Sequence, residues 1–133
     1  TWLMESAAAR QLGLSPTGHA SRGVSGAPGT SPSNLHLEGG SVSVTELISD
    51  IEYGVYIHEL SGQGVNLVTG DYSRGAAGFL IEKGEITGPV SEFTIASTLK
   101  EMFRNLSAAN DLEFVRSTNV PTLRVDGMTI ASA

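Results

Sequence analysis

Cysteine is absent from the 133 residues, so no disulfide can staple the fold and nothing points to an oxidising compartment. Basic residues are few: eight Lys and Arg stand against fourteen Asp and Glu, for a net charge of −6. They are also scattered, which argues against a nucleic-acid-binding face. No apolar run is long enough to cross a bilayer as a helix, and no signal-peptide pattern opens the chain. The expected setting is cytoplasmic, with no membrane and no nucleic acid as partner. Aromatic residues make up only 6%, while glycine occurs sixteen times, a balance that predicts short strands and many turns. The chain opens at Thr1, without a methionine and within an expected helix, and is read as a fragment of a longer protein. Its length fits a single domain, 1–133, large enough for a core.

What is present centres on Gly62 to Gly84, too glycine-rich for a helix and too apolar for a free linker. Val65, Leu67 and Thr69 alternate with Asn66 and Val68 as a half-buried strand. Ala77, Phe79 and Ile81 alternate with Gly78, Leu80 and Glu82 as a second strand. Between them, Gly70-Asp71-Tyr72-Ser73-Arg74-Gly75 reads as a loop with an acid, a base, a hydroxyl and a phenol. Glycine permits positive φ and close backbone approach, so Gly62, Gly64, Gly70, Gly75 and Gly78 are expected to shape it. Its plain reading is a strand connection held by an Asp71–Arg74 ion pair; its functional reading is a site.

Around this centre, Thr1 to Leu12 reads as an Ala-rich helix stopped by Gly13, followed by a Ser/Gly/Pro surface loop to Ser33. Asn34 to Glu38 reads as a short strand. Ser43-Val44-Thr45-Glu46 is a capping box, and Val44, Leu47, Ile48 and Ile51 form an apolar helical stripe closed by Gly54. Val55 to Leu60 is an expected strand. Lys83-Gly84 turns the chain into Glu85 to Val90 as a hairpin, with a further strand near Phe93 to Ala96. Thr98 to Glu101 is a second capping box, heading a stripe of Leu99, Met102, Phe103 and Leu106. Leu112 to Arg116 and Thr122 to Ala131 read as strands, with Asp126-Gly127 as a hairpin turn. Three helices and about eight strands in runs predict an α+β fold, its mostly antiparallel sheet curled or barrel-like.

Catalytic motifs fail one by one. His58-Glu59 lacks a second histidine one turn on, since Gly62 and Gln63 stand there, and His19 and His36 have no partner at ligand spacing. Ser73 has Gly75 after it, but Asp71 fills the other glycine slot of a hydrolase elbow. Gly62-Gln63-Gly64 begins a dinucleotide fingerprint that Leu67 interrupts, and Lys83-Gly84 reverses the Walker order. Asn105-Leu106-Ser107 matches a glycosylation acceptor but falls on an expected helix. No catalytic residue, metal site or cofactor is expected in this chain.

The run from Gly62 through GDYSRGAAGFLIEKGEITGPV to Asn105 resembles the C-terminal domain of the PmbA/TldE branch of the TldD/PmbA family. The opening TWLMESAAARQLGLSPTGHA and the close from Asn110 are similar to the same domain, whereas Ser21 to Gly40 matches nothing quotable. The resemblance implies a non-catalytic subunit of a metallopeptidase complex acting on unfolded peptides, such as microcin precursors or an antitoxin. "Modulator of DNA gyrase" is the older label. It implies zinc in a TldD-type partner, bound by a His-Glu-x-x-x-His helix and a cysteine, and pairing with that subunit or with itself as a dimer. Asp71, Tyr72, Ser73 and Arg74 are carried over only as the matching motif, shaping an interface or substrate cleft. The other open reading is a peptide- or ligand-binding module independent of proteolysis.

Overall fold

Alternating apolar and small residues from Tyr53 to Thr98 build the sheet that dominates the computed structural model, which describes residues 1–132. Three long strands, β4 (Tyr53–Ser61), β5 (Asp71–Glu82) and β6 (Glu85–Thr98), run antiparallel, and β10 (Thr129–Ser132) adds to the outer side of β6. The order β10-β6-β5-β4 is open at both ends among the described residues, so the sheet does not close into a barrel and the expected barrel-like curl is not confirmed. Smaller pairings complete the fold: β1 (Ala20–Ser21) with β2 (Gly29–Thr30), β3 (Leu35–His36) with β8 (Thr118–Asn119), and β7 (Leu106–Ala108) with β9 (Leu123–Val125). Only β3 and β8 are parallel among these named pairs. The class is α+β and mostly antiparallel, with helices α1 (Ser6–Leu12), α2 (Val44–Ile48) and α3 (Leu99–Arg104).

Two compact units divide the chain: Thr1–Leu37 with Phe114–Asn119, and Glu38–Glu113 with the chain from Val120 onward. In the first, α1 starts later than expected because the Glu5 carboxylate accepts the Ala7 and Ala8 N–H groups, fixing the helix start at Ser6. Gly13, at φ 65°, ends it as foreseen. The loop to Ser33 is exposed apart from half-buried Thr17 and His19, and it carries the β1–β2 pair. Leu112 to Arg116 is not a strand; Val115 and Arg116 donate their N–H groups to the Asn119 side chain instead.

The second unit holds the sheet. Phe93, Ile95 and Ala76 are its buried centre, flanked by Val55, Ile57, Tyr72, Val90 and Met128. The α2 capping box forms in full: Ser43 accepts from the Glu46 N–H while Glu46 reaches back to the Ser43 N–H. The helix buries Leu47 and Ile48 but stops at Ser49, so Ile51 lies beyond it and Gly54 belongs to β4. At α3 only half of the expected box forms: Thr98 accepts the Glu101 N–H, while no return bond from the Glu101 side chain is seen among the described residues; the helix ends at Arg104, buries none of its residues, and leaves Leu106 to β7. The first apolar stripe therefore runs out into the α2–β4 connection at Ile51 and the second into β7 at Leu106.

The Lys83-Gly84 turn joins Glu82 to its partner Glu85, with φ 52° and 78° at its two residues, as a two-residue hairpin of the primed type requires. Phe93–Ala96 proves continuous with the preceding strand, β6 absorbing the irregularity through Glu92 at φ 57°. Asp126-Gly127 is a turn but not a hairpin, because β9 pairs with β7 and β10 with β6. No helix among the described residues is long and apolar enough to cross a membrane.

Candidate functional site

The β4–β5 hairpin does not end where its regular ladder ends. Regular pairing stops at Ser61↔Gly75, yet a bridge joins Val65 to Tyr72 beyond it. Three steps separate Tyr72 from Gly75 on one strand, whereas four separate Ser61 from Val65 on the other. One extra residue has therefore been inserted opposite Arg74. Gly62, at φ 75°, adopts the left-handed conformation that begins a glycine bulge of this kind. Past the bulge the chain is drawn tight. The Ser73 N–H donates to the Gly64 carbonyl at 2.7 Å, and a Cβ at position 64 would lie 1.4 Å from the Ser73 carbonyl oxygen.

The tip is a turn, not the strand expected for Val65 to Thr69. Asn66 Oδ1 accepts from the Val68 and Thr69 N–H groups, and the Gly70 N–H closes back on the Asn66 carbonyl. Leu67 and Val68 are consequently 85% and 95% exposed. Gly70, at φ 83°, then returns the chain to β5, and its carbonyl accepts from the Leu99 N–H at the start of α3.

Asp71 to Gly75 are strand residues of β5, which corrects their reading as a loop. The glycines that argued for a loop serve close approach instead: a Cβ at Gly75 or Gly78 would stand 2.5 Å from Ser61 Oγ or 2.0 Å from the Tyr56 carbonyl. Strand geometry also removes the expected Asp71–Arg74 ion pair, because residues three apart on a strand face opposite sides. Asp71 and Ser73 are exposed, and Asp71 accepts the Thr69 hydroxyl at 2.6 Å. Tyr72 and Arg74 share the other face with Ala76, and Arg74 stands opposite buried Ile95. Arg74 Nε is buried and meets no acceptor among the described residues. The motif is thus brought together along one strand but divided between two faces.

A second feature escaped sequence reading. A groove of about 350 Å³ opens between α2 and the β9–β10 segment, lined chiefly by Leu47, Ile48, Ile51, Val55, Ile81 and Ile95. Arg124 spans its rim, donating to the Leu47 carbonyl at 2.8 Å, to Asp126 at 2.9 Å and to the Asp50 carboxylate. The hydrogen bond from Arg124 holds the Asp50 carboxyl below its ordinary range, and the two aspartates raise Arg124. Asp50 and Arg124 stand too far apart in sequence for local spacing to pair them.

His58 sits at the irregularity of β4 between Ile57 and Glu59, and His36 packs edge-on to Phe114 at 5.2 Å. His19 Nδ1 lies 2.9 Å from the Thr17 hydroxyl. Among the described residues no three of His, Cys, Asp or Glu gather as metal ligands. This donor set does not fit a peptidase metal.

The family model described as the PmbA/TldA metallopeptidase C-terminal domain matches residues 1–132. The metalloprotease PmbA of Escherichia coli O157:H7 is 43% identical over 131 residues, 98% of this chain and 27% of that protein. A metalloprotease TldD homolog of Haemophilus influenzae is 29% identical over 105 residues, 77% of this chain and 22% of its own. Among solved structures, a putative modulator of a DNA gyrase from Thermotoga maritima superposes with a TM-score of 0.77 at 33% identity, over 98% of this chain and 30% of that one. The chain spans about a quarter of the length of the curated relatives it matches. By the match of its family model along nearly its whole length, this chain belongs to the PmbA/TldD metallopeptidase family and corresponds to its C-terminal domain.

Proposed function

We propose that this chain is the C-terminal domain of a non-catalytic PmbA/TldE-type subunit, which pairs with a metal-bearing TldD-type subunit to cleave unfolded peptides. The observation that carries the reading is its greater likeness to a PmbA protein, 43% identical, than to a TldD homolog, 29% identical. The absence of cysteine supports it, because the resemblance puts the cysteine ligand of a TldD-type subunit in its C-terminal portion. Microcin precursors and an antitoxin are the substrates this places in view, and the cytoplasm is the compartment. The bulged hairpin end, with Asp71, Tyr72, Ser73 and Arg74, serves the subunit contact or the adjoining peptide cleft. Bulges of this kind aim side chains at sheet ends, where pairing stops.

The direct test assays cleavage of an unstructured peptide by the full-length subunit alone, by its TldD-type paralogue alone, and by the mixture. The mixture is expected to cleave and chelation to abolish cleavage. Chelator-resistant cleavage by this subunit alone would overturn the reading and make Ser73 and His58 the first residues to mutate. A subunit that binds peptides but neither binds nor activates the paralogue would instead be an independent binding module.

A further inference from the structure

The groove between α2 and the β9–β10 segment is lined by aliphatic side chains that do not fill it. Ile81 and Ile95 of its lining are buried, Ile51 and Val55 are half-buried, and Tyr53 and Ile130 are exposed, so it runs from core to solvent. At about 350 Å³ it has the size and the apolar character of a binding cleft. Its charged groups are few and gathered at the rim. Arg124 and Asp126 are the charged residues of the lining, and Asp50 joins them through Arg124. Arg124 donates from Nε and Nη1, while its Nη2 makes no hydrogen bond among the described residues. Nη2 is not one of the buried atoms left without a partner, so solvent reaches it. The side chains of Asp50 and Asp126 are 73% and 58% exposed. One guanidinium against two carboxylates leaves the rim with a negative charge over.

We propose that this groove binds a segment of another polypeptide in which a branched aliphatic residue stands next to a lysine or arginine. The aliphatic side chain enters between Ile51, Val55 and Ile81 and leaves water. A backbone carbonyl of the same segment accepts from Arg124 Nη2, a bond strengthened by the donor's charge. The basic side chain meets Asp50 and Asp126 on the rim. The sign of the rim decides against two other occupants. A fatty acid suits the aliphatic walls but sets its carboxylate against an acidic rim, and a second copy of this chain arrives with its own −6. The inference deepens the proposed handling of unfolded peptides, on which it rests, by naming the side chains selected. Its test needs neither proteolysis nor the paralogue.

The test follows the methyl resonances of Ile51, Val55 and Ile81 in the 133-residue chain by NMR, at low and at high ionic strength. The probes are Lys-Leu-Lys, Glu-Leu-Glu and Lys-Ser-Lys peptides capped at both ends, with octanoate as an aliphatic anion. Lys-Leu-Lys is expected to shift the methyls saturably, Glu-Leu-Glu to bind about tenfold more weakly at low salt, and Lys-Ser-Lys to leave them still. Salt should narrow the first difference. Replacing both rim acids, Asp50→Asn with Asp126→Asn, should abolish or reverse that preference, because Arg124 is then the remaining charge of the three. No saturable shift with Lys-Leu-Lys, equal shifts with Lys-Ser-Lys, tighter binding of Glu-Leu-Glu or octanoate, or an unchanged preference in the folded double variant would each overturn the site. Methyls that shift on concentrating the chain without peptide would put a second copy in the groove and overturn it too. If the double variant does not fold, the wild-type series alone decides. Peptide bound in the groove of a subunit that never activates the paralogue would leave this inference standing and the peptidase reading fallen.

Discussion

At the residue scale, the hairpin glycines act by two separable effects, space and backbone angle. Gly64 and Gly78 have negative-side φ but no room, with backbone oxygens 1.4 Å and 2.0 Å from where a Cβ would sit. Gly70 has room but a φ of 83°. Gly64→Ala or Gly78→Ala should therefore destabilise by about 2–4 kcal/mol, because backbone must move. Gly70→Ala should lose only about 1–2 kcal/mol, the left-handed strain alone. Chemical denaturation of the three variants checks the order, and a Gly64→Ala loss no larger than that of Gly70→Ala would contradict it. Lys83 holds a positive φ of 52° with a side chain that gains nothing from it. Lys83→Asn is expected to stabilise by about 0.5 kcal/mol, asparagine tolerating this region better.

At the element scale, the caps are the dependable parts. Ser43→Ala should destabilise by about 1 kcal/mol, since it leaves the Glu46 N–H without its acceptor. The Ser43 backbone and hydroxyl hold the Glu46 carboxyl below its ordinary value, Arg124 does so for Asp50, and Thr122 for Asp111. Lowered folded-state pKa values favour the folded chain above the ordinary carboxylate range. That contribution should be lost as pH falls below about 4 and through the folded values. Asp111→Asn, measured by thermal melts across this window, should flatten the acid-side loss; an unchanged slope would contradict the assignment. The Ser43 box was legible in sequence because it rests on four consecutive residues, whereas the Glu5 cap that delays α1 was not foreseen. The Lys83-Gly84 turn was legible for the same reason. Helix lengths were not, since Ile51 and Leu106 keep the helical spacing after the chain has already left the helix. The strand character of Asp71 to Gly75 was hidden by glycines that read as loop residues but answer to contacts across the ladder. The pairings β3–β8 and β7–β9, and the Arg124–Asp50 contact, depend on residues far apart in sequence, where no local spacing speaks. The motif Asp71 to Arg74 was found from sequence, but its split between two faces required the ladder.

At the scale of the whole molecule, the four-stranded sheet leaves β4 and β10 as open edges among the described residues. Free edges of this length seek partners, and two-fold closure is the common outcome. A dimer or larger species is therefore expected by sedimentation at micromolar concentration, and a strict monomer across that range would count against it. The function proposed above puts the metal chemistry of this family outside this chain. Its three histidines are spread over the loop before β1 (His19), β3 (His36) and β4 (His58), and no cysteine is present to join them. Elemental analysis of the dialysed chain tests this most directly. Zinc is expected far below one equivalent per chain, and one tightly held zinc per chain would overturn that assignment.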